Sequence, residues 1–194
     1  MVPPIADRDG NLYGVASTGG VGSCNSREGC GTVYKLAAGG TFSVSYAFTG
    51  SNDGGMPEAE LIRGSDGTLY GTTTAGGDMD CGTVFKIAPD GTESTLHAFT
   101  YHEDGRDGCC PQSQLIVDKK RNIYGTTNYG GKSGNGTFFR IAPDGNEKIL
   151  HTFSGQPDGS GPLGSLTKDS SGNLYGATVD GGANNNGAIF KLSK

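Results

Sequence analysis

The sequence has no tryptophan and no stripe of basic residues. It carries 15 Lys and Arg against 20 Asp and Glu, which gives a formal net charge of -5 at pH 7. Proteins that bind nucleic acids need clustered Lys and Arg to neutralise phosphates, so no nucleic-acid partner is expected. No apolar run approaches the ~20 residues that cross a bilayer as a helix, so no membrane span is expected either.

Two further features are missing, a signal peptide and a helical period. The opening segment MVPPIADRDG has neither a basic start nor an apolar stretch, so an export signal was removed or never existed, and both an exported and a cytoplasmic location stay open. The 36 glycines are unfavourable inside helices, where each costs about 1 kcal/mol relative to Ala. The glycines are therefore expected in turns.

What the sequence has in abundance is an internal repeat. Four copies of one segment occur, and they are GNLYGVASTGG (10–20), GTLYGTTTAGG (67–77), RNIYGTTNYGG (121–131) and GNLYGATVDGG (172–182). Each copy is followed by an element like GTVFKIA, and the three gaps between copies carry Asp-Gly-x-x-Pro. The equivalent tyrosines are 57, 54 and 51 residues apart. The module is therefore 51 residues long, with a six-residue addition before Gly31 and a three-residue addition before Pro111.

Each module predicts four short antiparallel strands, because Gly-bearing turns such as SDGT and APDG separate its apolar segments. Four-stranded units of ~40–50 residues in tandem are typical of β-propeller blades. The predicted fold is therefore all-β and β-propeller-like, with about four blades in a single domain, 1–194. The predicted repeat units are 1–49, 58–100, 112–154 and 163–194, and the last lacks its fourth strand. The N-terminal strand, or a second copy of the chain in a homo-oligomer, could complete an open ring.

The recurring order G-N-L-Y-G-x-T-x-x-G-G, G-T-V-F-K-I-A-P-D-G, L-H-x-F and D-G-x-x-P resembles the GloVer-type tandem repeat of bacterial choice-of-anchor surface proteins. The resemblance covers essentially the whole chain. It implies an exported, extracellular or surface-bound repeat protein of propeller type, tethered by a separate anchor. No catalytic residues are established for that family, so none carry over. The chain departs from the pattern because it lacks an anchor and has cysteine-bearing insertions.

A meander of four strands, named a to d, divides the connections of a module between two sides of the sheet. The a–b and c–d turns lie on one side, here the turn face. The b–c loops and the d–a linkers lie on the other, here the loop face, together with both insertions, all five cysteines and a surplus of carboxylates. Binding residues concentrate on loops held by a rigid scaffold. The sequence therefore predicts a binding module whose loop face takes a glycan, a surface protein or a small molecule.

Carboxylates on Gly-rich loops are the ligand type of Ca²⁺. The candidate ligands are the three linker aspartates, Asp53, Asp107 and Asp158, which occupy equivalent places in successive modules. The competing interpretation is architectural, because Asp-Gly is ordinary turn chemistry before a proline. A calcium site and a structural turn are both left open by the sequence.

A second class of function is a calcium-dependent hydrolase, similar to a lactonase or esterase, with its site on the same loop face. In this hypothesis His102 is the general base beside the carboxylates of Glu103, Asp104 and Asp107. These residues belong to TYHEDGRDGCCP (100–111), the densest run of reactive side chains in the chain. Whether the protein is an enzyme is not decided by the sequence.

Five cysteines in a Gly-rich, helix-poor chain favour an oxidising compartment and disulfide bonds, and their odd number leaves one without an intrachain partner. Cys24 and Cys30 flank the six-residue addition and could staple it. Cys81 could bridge to either Cys109 or Cys110, and a vicinal Cys109–Cys110 bond is a further alternative. Zinc is disfavoured because no Cys-x-x-Cys motif is present.

Overall fold

A computed structural model of the chain describes residues 2–24, 27–100 and 107–193. Within these ranges the structure contains strands, turns and loops but no helix, and accordingly no helix that could cross a membrane. In chain order the strands are β1 (Ile5–Ala6), β2 (Leu12–Ala16), β3 (Ser23–Cys24), β4 (Arg27–Glu28), β5 (Thr32–Leu36), β6 (Phe42–Ala47), β7 (Ile62–Arg63), β8 (Leu69–Thr73), β9 (Thr83–Ile87), β10 (Glu93–Ala98), β11 (Gly108–Cys109), β12 (Ile116–Val117), β13 (Ile123–Thr127), β14 (Tyr129–Gly130), β15 (Thr137–Ile141), β16 (Glu147–Thr152), β17 (Thr167–Lys168), β18 (Leu174–Ala177) and β19 (Ile189–Leu192).

The strands form the predicted four-stranded antiparallel sheets, distributed over two compact units, Met1–Ala98 and Phe99–Lys194. The first unit contains the sheets β1-β2-β5-β6 and β7-β8-β9-β10, and the hairpin β3-β4. The second contains the sheet β12-β13-β15-β16, the three-stranded sheet β17-β18-β19 and the ribbon β11-β14. The all-β, β-propeller-like fold is thus confirmed. That 1–194 is one domain stays a prediction.

The sheets share one register because a glycine in strand b faces an aromatic ring in strand c. Gly71 pairs with Phe85 and Gly125 with Phe139. A Cβ atom at either glycine would overlap the ring of its partner. Because the glycine after the strand-b tyrosine pairs with the strand-c phenylalanine in each of these sheets, the phenylalanine ring lies over the glycine. A side chain larger than hydrogen would force the two strands apart.

Phenylalanine packing joins neighbouring sheets within each unit. The phenylalanine that follows strand d contacts the strand-c aromatic ring of the next module. In the first unit the centroids of Phe48 and Phe85 are 5.0 Å apart, and in the second those of Phe153 and Phe190 are 5.0 Å apart, both edge-to-face. Phe48 and Phe153 are completely buried. Edge-to-face aromatic pairs are favourable beyond the area that they bury, so these contacts hold successive modules together.

One side chain of β19 shows how much the packing of a following module buries. In the other three sheets the second residue of the strand-c motif is at most 1% exposed, as in Val33, Val84 and Phe138. Its equivalent in β19, Ile189, is 85% exposed. The ring of Phe138 is covered by the next module, where its centroid lies 6.1 Å from that of Phe190. No further sheet follows β17-β18-β19 among the described residues, so Ile189 has no such cover.

We expect Phe48→Ala to lower the free energy of unfolding by about 3–5 kcal/mol, because it removes a fully buried ring and leaves a cavity. The matched control is Phe42→Ala, since Phe42 lies in the same module but is 60% exposed; its cost should be about 1 kcal/mol or less. Urea denaturation followed by tyrosine fluorescence measures both. Equal losses in the two variants would contradict the central place of Phe48 in the core.

Candidate functional site

The aspartate of each Asp-Gly-x-x-Pro linker closes the turn that leaves strand d. The carboxylates of Asp53, Asp107 and Asp158 each accept a hydrogen bond from the backbone N–H of the residue after the strand-d phenylalanine. The donors are Thr49 (2.8 Å), Thr100 (2.9 Å) and Ser154 (3.1 Å). An ionised carboxylate that accepts a backbone N–H forms a strong, charge-assisted bond. The carboxylate therefore fixes the direction in which the linker starts.

A side chain on strand d also reaches this carboxylate. Tyr46 donates its hydroxyl to Asp53 over 3.0 Å, and His151 Nε2 lies 2.9 Å from Asp158 Oδ2. Burial raises the pKa of Tyr46, and the hydrogen bond to Asp53 raises it further. Because His97 and His151 align with Tyr46, the sequence predicts that they are core or inter-blade residues with a satisfied ring nitrogen. The satisfied nitrogen is confirmed for His151. A core position is wrong for it, because its side chain is 45% exposed.

The glycine of the linker lies directly over a threonine at the end of strand b. A Cβ atom at Gly54, Gly108 or Gly159 would overlap this threonine. The threonines are Thr73, Thr127 and Thr178, and each donates its hydroxyl to a carbonyl of its own b–c loop. In two modules the same hydroxyl also bonds the first threonine of strand c, over 2.9 Å in one and 2.8 Å in the other. The linker, strand b and strand c therefore meet at one hydroxyl.

Two further contacts hold the linker: its proline packs against a glycine, and its backbone forms a short ladder of hydrogen bonds with a b–c loop. Pro57 packs against Gly31 and Pro162 against Gly136, where a Cβ atom would collide with the proline ring. Each linker also pairs with the b–c loop of the module that follows it. Gly55 and Ala75 exchange two backbone hydrogen bonds of 2.7 and 3.0 Å, Ser160 and Asp180 exchange two of 2.8 and 3.1 Å, and β11 pairs with β14. Within each unit the linkers and the b–c loops are thus hydrogen-bonded to one another rather than separate.

The whole of this repeating pattern identifies the chain's family. The sequence pattern of the Gloeobacter/Verrucomicrobia repeat matches residues 2–194. The chain belongs to the Gloeobacter/Verrucomicrobia repeat family. No curated protein matches it.

Solved structures share the fold of this Gloeobacter/Verrucomicrobia repeat protein at low sequence identity. A proposed gluconolactonase is 18% identical with a TM-score of 0.57, over 98% of this chain and 59% of its own. An inactive variant of virginiamycin B lyase from Staphylococcus aureus with quinupristin is 14% identical with a TM-score of 0.59, over 99% and 55%. The extracellular domain of a proposed one-component system from B. thetaiotaomicron is 12% identical with a TM-score of 0.59, over 98% and 21%. The chain therefore spans only part of each of these structures, and the likeness concerns the fold.

Disulfide bonds are present in the repeat protein, as its cysteines suggested. Cys24 and Cys30 are joined across the six-residue addition, and their sulfur atoms lie against the first linker at Gly50 and Gly55. Cys81 and Cys109 are each disulfide-bonded as well. The vicinal alternative is not formed, because the sulfurs of Cys109 and Cys110 are 3.3 Å apart, well beyond the ~2.05 Å of a disulfide bond.

The proposed catalytic residues His102, Glu103 and Asp104 lie outside the described residues. Among the described residues, no three His, Cys, Asp or Glu side chains are grouped so that they could hold a metal ion. Calcium at the linker aspartates stays a prediction. What the structure does show at these positions is a set of hydrogen bonds that gives each aspartate an architectural role.

Sequence reasoning missed a second carboxylate motif, which lies on the turn face. In three of the four a–b turns an aspartate accepts hydrogen bonds from an asparagine four residues later and from a tyrosine six residues later. The sets are Asp7–Asn11–Tyr13, Asp118–Asn122–Tyr124 and Asp169–Asn173–Tyr175. The signal Asp-x-x-x-Asn-x-Tyr is visible in the repeat, but all the candidate residues predicted from the sequence lie on the loop face.

The linker glycine provides a sharp test of the loop-face framework. Gly54→Ala introduces a methyl group where Thr73 already lies, at a φ of +87°. Gly40 has nearly the same φ, +85°, but a Cβ atom there would meet no described residue beyond its chain neighbours within 4 Å. Gly40→Ala therefore measures the backbone strain alone, about 1–2 kcal/mol. We expect Gly54→Ala to cost about 1–3 kcal/mol more. Equal costs, measured by urea denaturation, would show that the close approach is not needed.

The turn-face motif predicts a pH effect. Hydrogen bonds from Asn11 and Tyr13 lower the pKa of Asp7 to about 2, from an ordinary value of 3.8. Because the folded-state pKa lies below the unfolded one, ionised Asp7 stabilises the fold above about pH 4, and this stabilisation is lost as the pH falls to about 2. The stability difference between the native protein and Asp7→Asn should therefore be nearly constant well above pH 4, fall as the pH drops from about 4 to about 2, and level off below that. Asp9→Asn, in the same turn, controls for loss of a charge; the same pH profile there would contradict the assignment.

Proposed function

We propose that this chain is a ligand-binding module of an exported repeat protein, and that its loop face takes a glycan, a surface protein or a small molecule. One observation carries the proposal. Every b–c loop presents a large apolar side chain that is more than half exposed to solvent. These side chains are Val21, Met79, Tyr129 and Val179.

Single exposed apolar residues are common on protein surfaces, but their placement here is systematic. They lie on loops that are hydrogen-bonded to the linkers. Acidic residues flank two of them: Asp78 and Asp80 lie on either side of Met79, and Asp180 follows Val179. When a ligand covers solvent-exposed apolar groups on a preorganised scaffold, the burial of apolar surface favours binding. An acidic rim would then select ligands with hydroxyl or cationic groups.

Two observations support export. Disulfide bonds persist mainly in oxidising compartments, and this chain forms them at Cys24–Cys30 and at Cys81 and Cys109. Solved structures with the same fold include extracellular domains of B. thetaiotaomicron signalling proteins. An extracellular or surface location suits a module that binds glycans or other surface molecules.

The competing function is a calcium-dependent lactonase or esterase on the same face. A solved structure of the same fold is a proposed gluconolactonase, but fold alone does not carry an activity. The hydrogen bonds of Asp53, Asp107 and Asp158 to backbone donors favour a structural role for these carboxylates over calcium binding. Binding and turnover assays on the same preparations separate the two functions.

We expect the purified chain to bind members of a glycan array, and the double variant Met79→Ser/Tyr129→Ser to bind at least about tenfold more weakly, a change of ~1.4 kcal/mol. Phe42→Ser is the matched control, because Phe42 is similarly exposed but lies on strand d, and its binding should be unchanged. The same preparations are assayed with a panel of lactones and esters, with and without a chelator. Turnover that is lost on chelation or in His102→Ala would overturn the binding function, and so would equal loss of binding in both variants.

A further inference from the structure

We propose that a cleft on the turn face of the second unit binds an acidic saccharide, a carbohydrate that carries a carboxylate group. This site is separate from the loop face and does not depend on the function proposed there. The cleft lies between the sheets β12-β13-β15-β16 and β17-β18-β19 and has a volume of about 500 Å³. Pockets of ~300–1,000 Å³ accommodate small organic ligands, and this one is large enough for one or two sugar rings.

The cleft is positively charged in a chain that is acidic overall. Four cationic side chains line it, against two carboxylates from Asp118 and Asp169. The cations are Lys119, Lys120, Arg140 and Lys168. Since the whole chain has a net charge of -5, this local excess of positive charge is the reverse of the general pattern. A concave, cationic surface raises the local concentration of anionic ligands.

The two carboxylates are held by their own turns. Asp118 accepts hydrogen bonds from the backbone and side-chain nitrogens of Asn122, both 2.9 Å, and Asp169 accepts the equivalent bonds from Asn173 at 2.8 and 2.7 Å. Side-chain and backbone donors from Asn173 keep the pKa of Asp169 below its ordinary value. Because these donors stabilise the carboxylates within their turns, the exposed side chains of Lys119, Lys120 and Lys168 stay available for a ligand.

Arg140 lines the cleft with a guanidinium group. Guanidinium groups pair with carboxylates through two parallel bonds. Its Nε atom is buried and has no hydrogen-bond partner among the described residues, so a ligand carboxylate would pair with the part of the group that lines the cleft.

The remaining lining favours a sugar over a simple anion. Tyr124 and the aliphatic side chains of Ile116, Leu150, Leu174 and Leu192 form an apolar part of the wall, and Ser170 and Ser171 also line the cleft. Apolar and aromatic surfaces match the C–H faces of a sugar ring, while serine hydroxyls and carboxylates match its hydroxyl groups. An inorganic anion would use only the cations and leave the apolar wall uncovered.

The first unit contains the equivalent cleft with a different charge, which provides an internal control. Its volume is about 520 Å³, and Asp7, Asp9 and Asp90 outnumber Lys35 and Arg63 in its lining. Both cations lie over the ring of Tyr13, at 5.5 and 5.6 Å from its centroid, and Arg63 is 4.0 Å from Asp7. Lys35 and Arg63 therefore already interact with an aromatic ring, and Arg63 also with a carboxylate. We expect this cleft not to bind an acidic saccharide.

Isothermal titration calorimetry of the full chain with digalacturonate tests the proposal. We expect binding that weakens at least about tenfold in Lys120→Gln/Lys168→Gln and that weakens again when the salt concentration is raised from about 0.1 to about 0.5 M, because charge pairs at a surface are screened. Lys35→Gln, in the equivalent cleft of the first unit, should bind as the native chain does. Lys120 and Lys168 are exposed and Lys35 is half-buried, so the double variant should keep the native melting temperature and Lys35→Gln should lie close to it.

Four outcomes would overturn the acidic-saccharide site. They are absence of digalacturonate binding, equal binding of a neutral disaccharide, equal weakening in Lys35→Gln, and sulfate binding as tightly as digalacturonate, which would mean a simple anion site. Met79→Ser/Tyr129→Ser should bind digalacturonate normally. That variant separates a failure of this site from a failure of the loop-face function.

Discussion

The close contact between the linker glycine and the threonine that ends strand b is the constraint on which the loop face depends. Only a glycine lets the linker backbone reach this hydroxyl, and the approach positions the linker to pair with the following b–c loop. The preceding aspartate sets the direction of the linker through its backbone hydrogen bond, and the following proline packs against a second glycine. The aspartate, glycine and proline of Asp-Gly-x-x-Pro therefore each help to position the same linker.

The two faces of each module use carboxylates differently. On the loop face the aspartates organise the backbone, while the b–c loops extend apolar side chains into solvent. On the turn face the aspartates of the Asp-x-x-x-Asn-x-Tyr motif hold the a–b turns, and the clefts between sheets differ in charge from one unit to the other. Because the scaffold satisfies its own carboxylates, exposed apolar groups and unengaged cations are the features left for binding.

Much of this architecture is predictable because it repeats. The positions of strands b and c, the turn residues and the three strands of the last module all follow from aligning the four copies. The interpretation of single residues is less successful. Alignment with Tyr46 predicts a core or inter-blade position for His151, yet this polar ring is 45% exposed and bonds a linker aspartate. The run Lys119-Lys120-Arg121 is too short to form a basic stripe in the sequence. Only the fold brings Arg140 and Lys168 to the cleft that Lys119 and Lys120 line.

By itself the sequence determined the repeat, the strand order, the family and the distribution of loops between two faces, since these depend on periodic spacing and on turn chemistry that acts locally. The tertiary structure alone decided which carboxylates are used internally, which of the equivalent apolar positions are covered and which clefts keep free charge. Those properties depend on side chains that different modules of the chain contribute. Their mutual distances are set by the packing of the sheets within each unit, which no local pattern specifies.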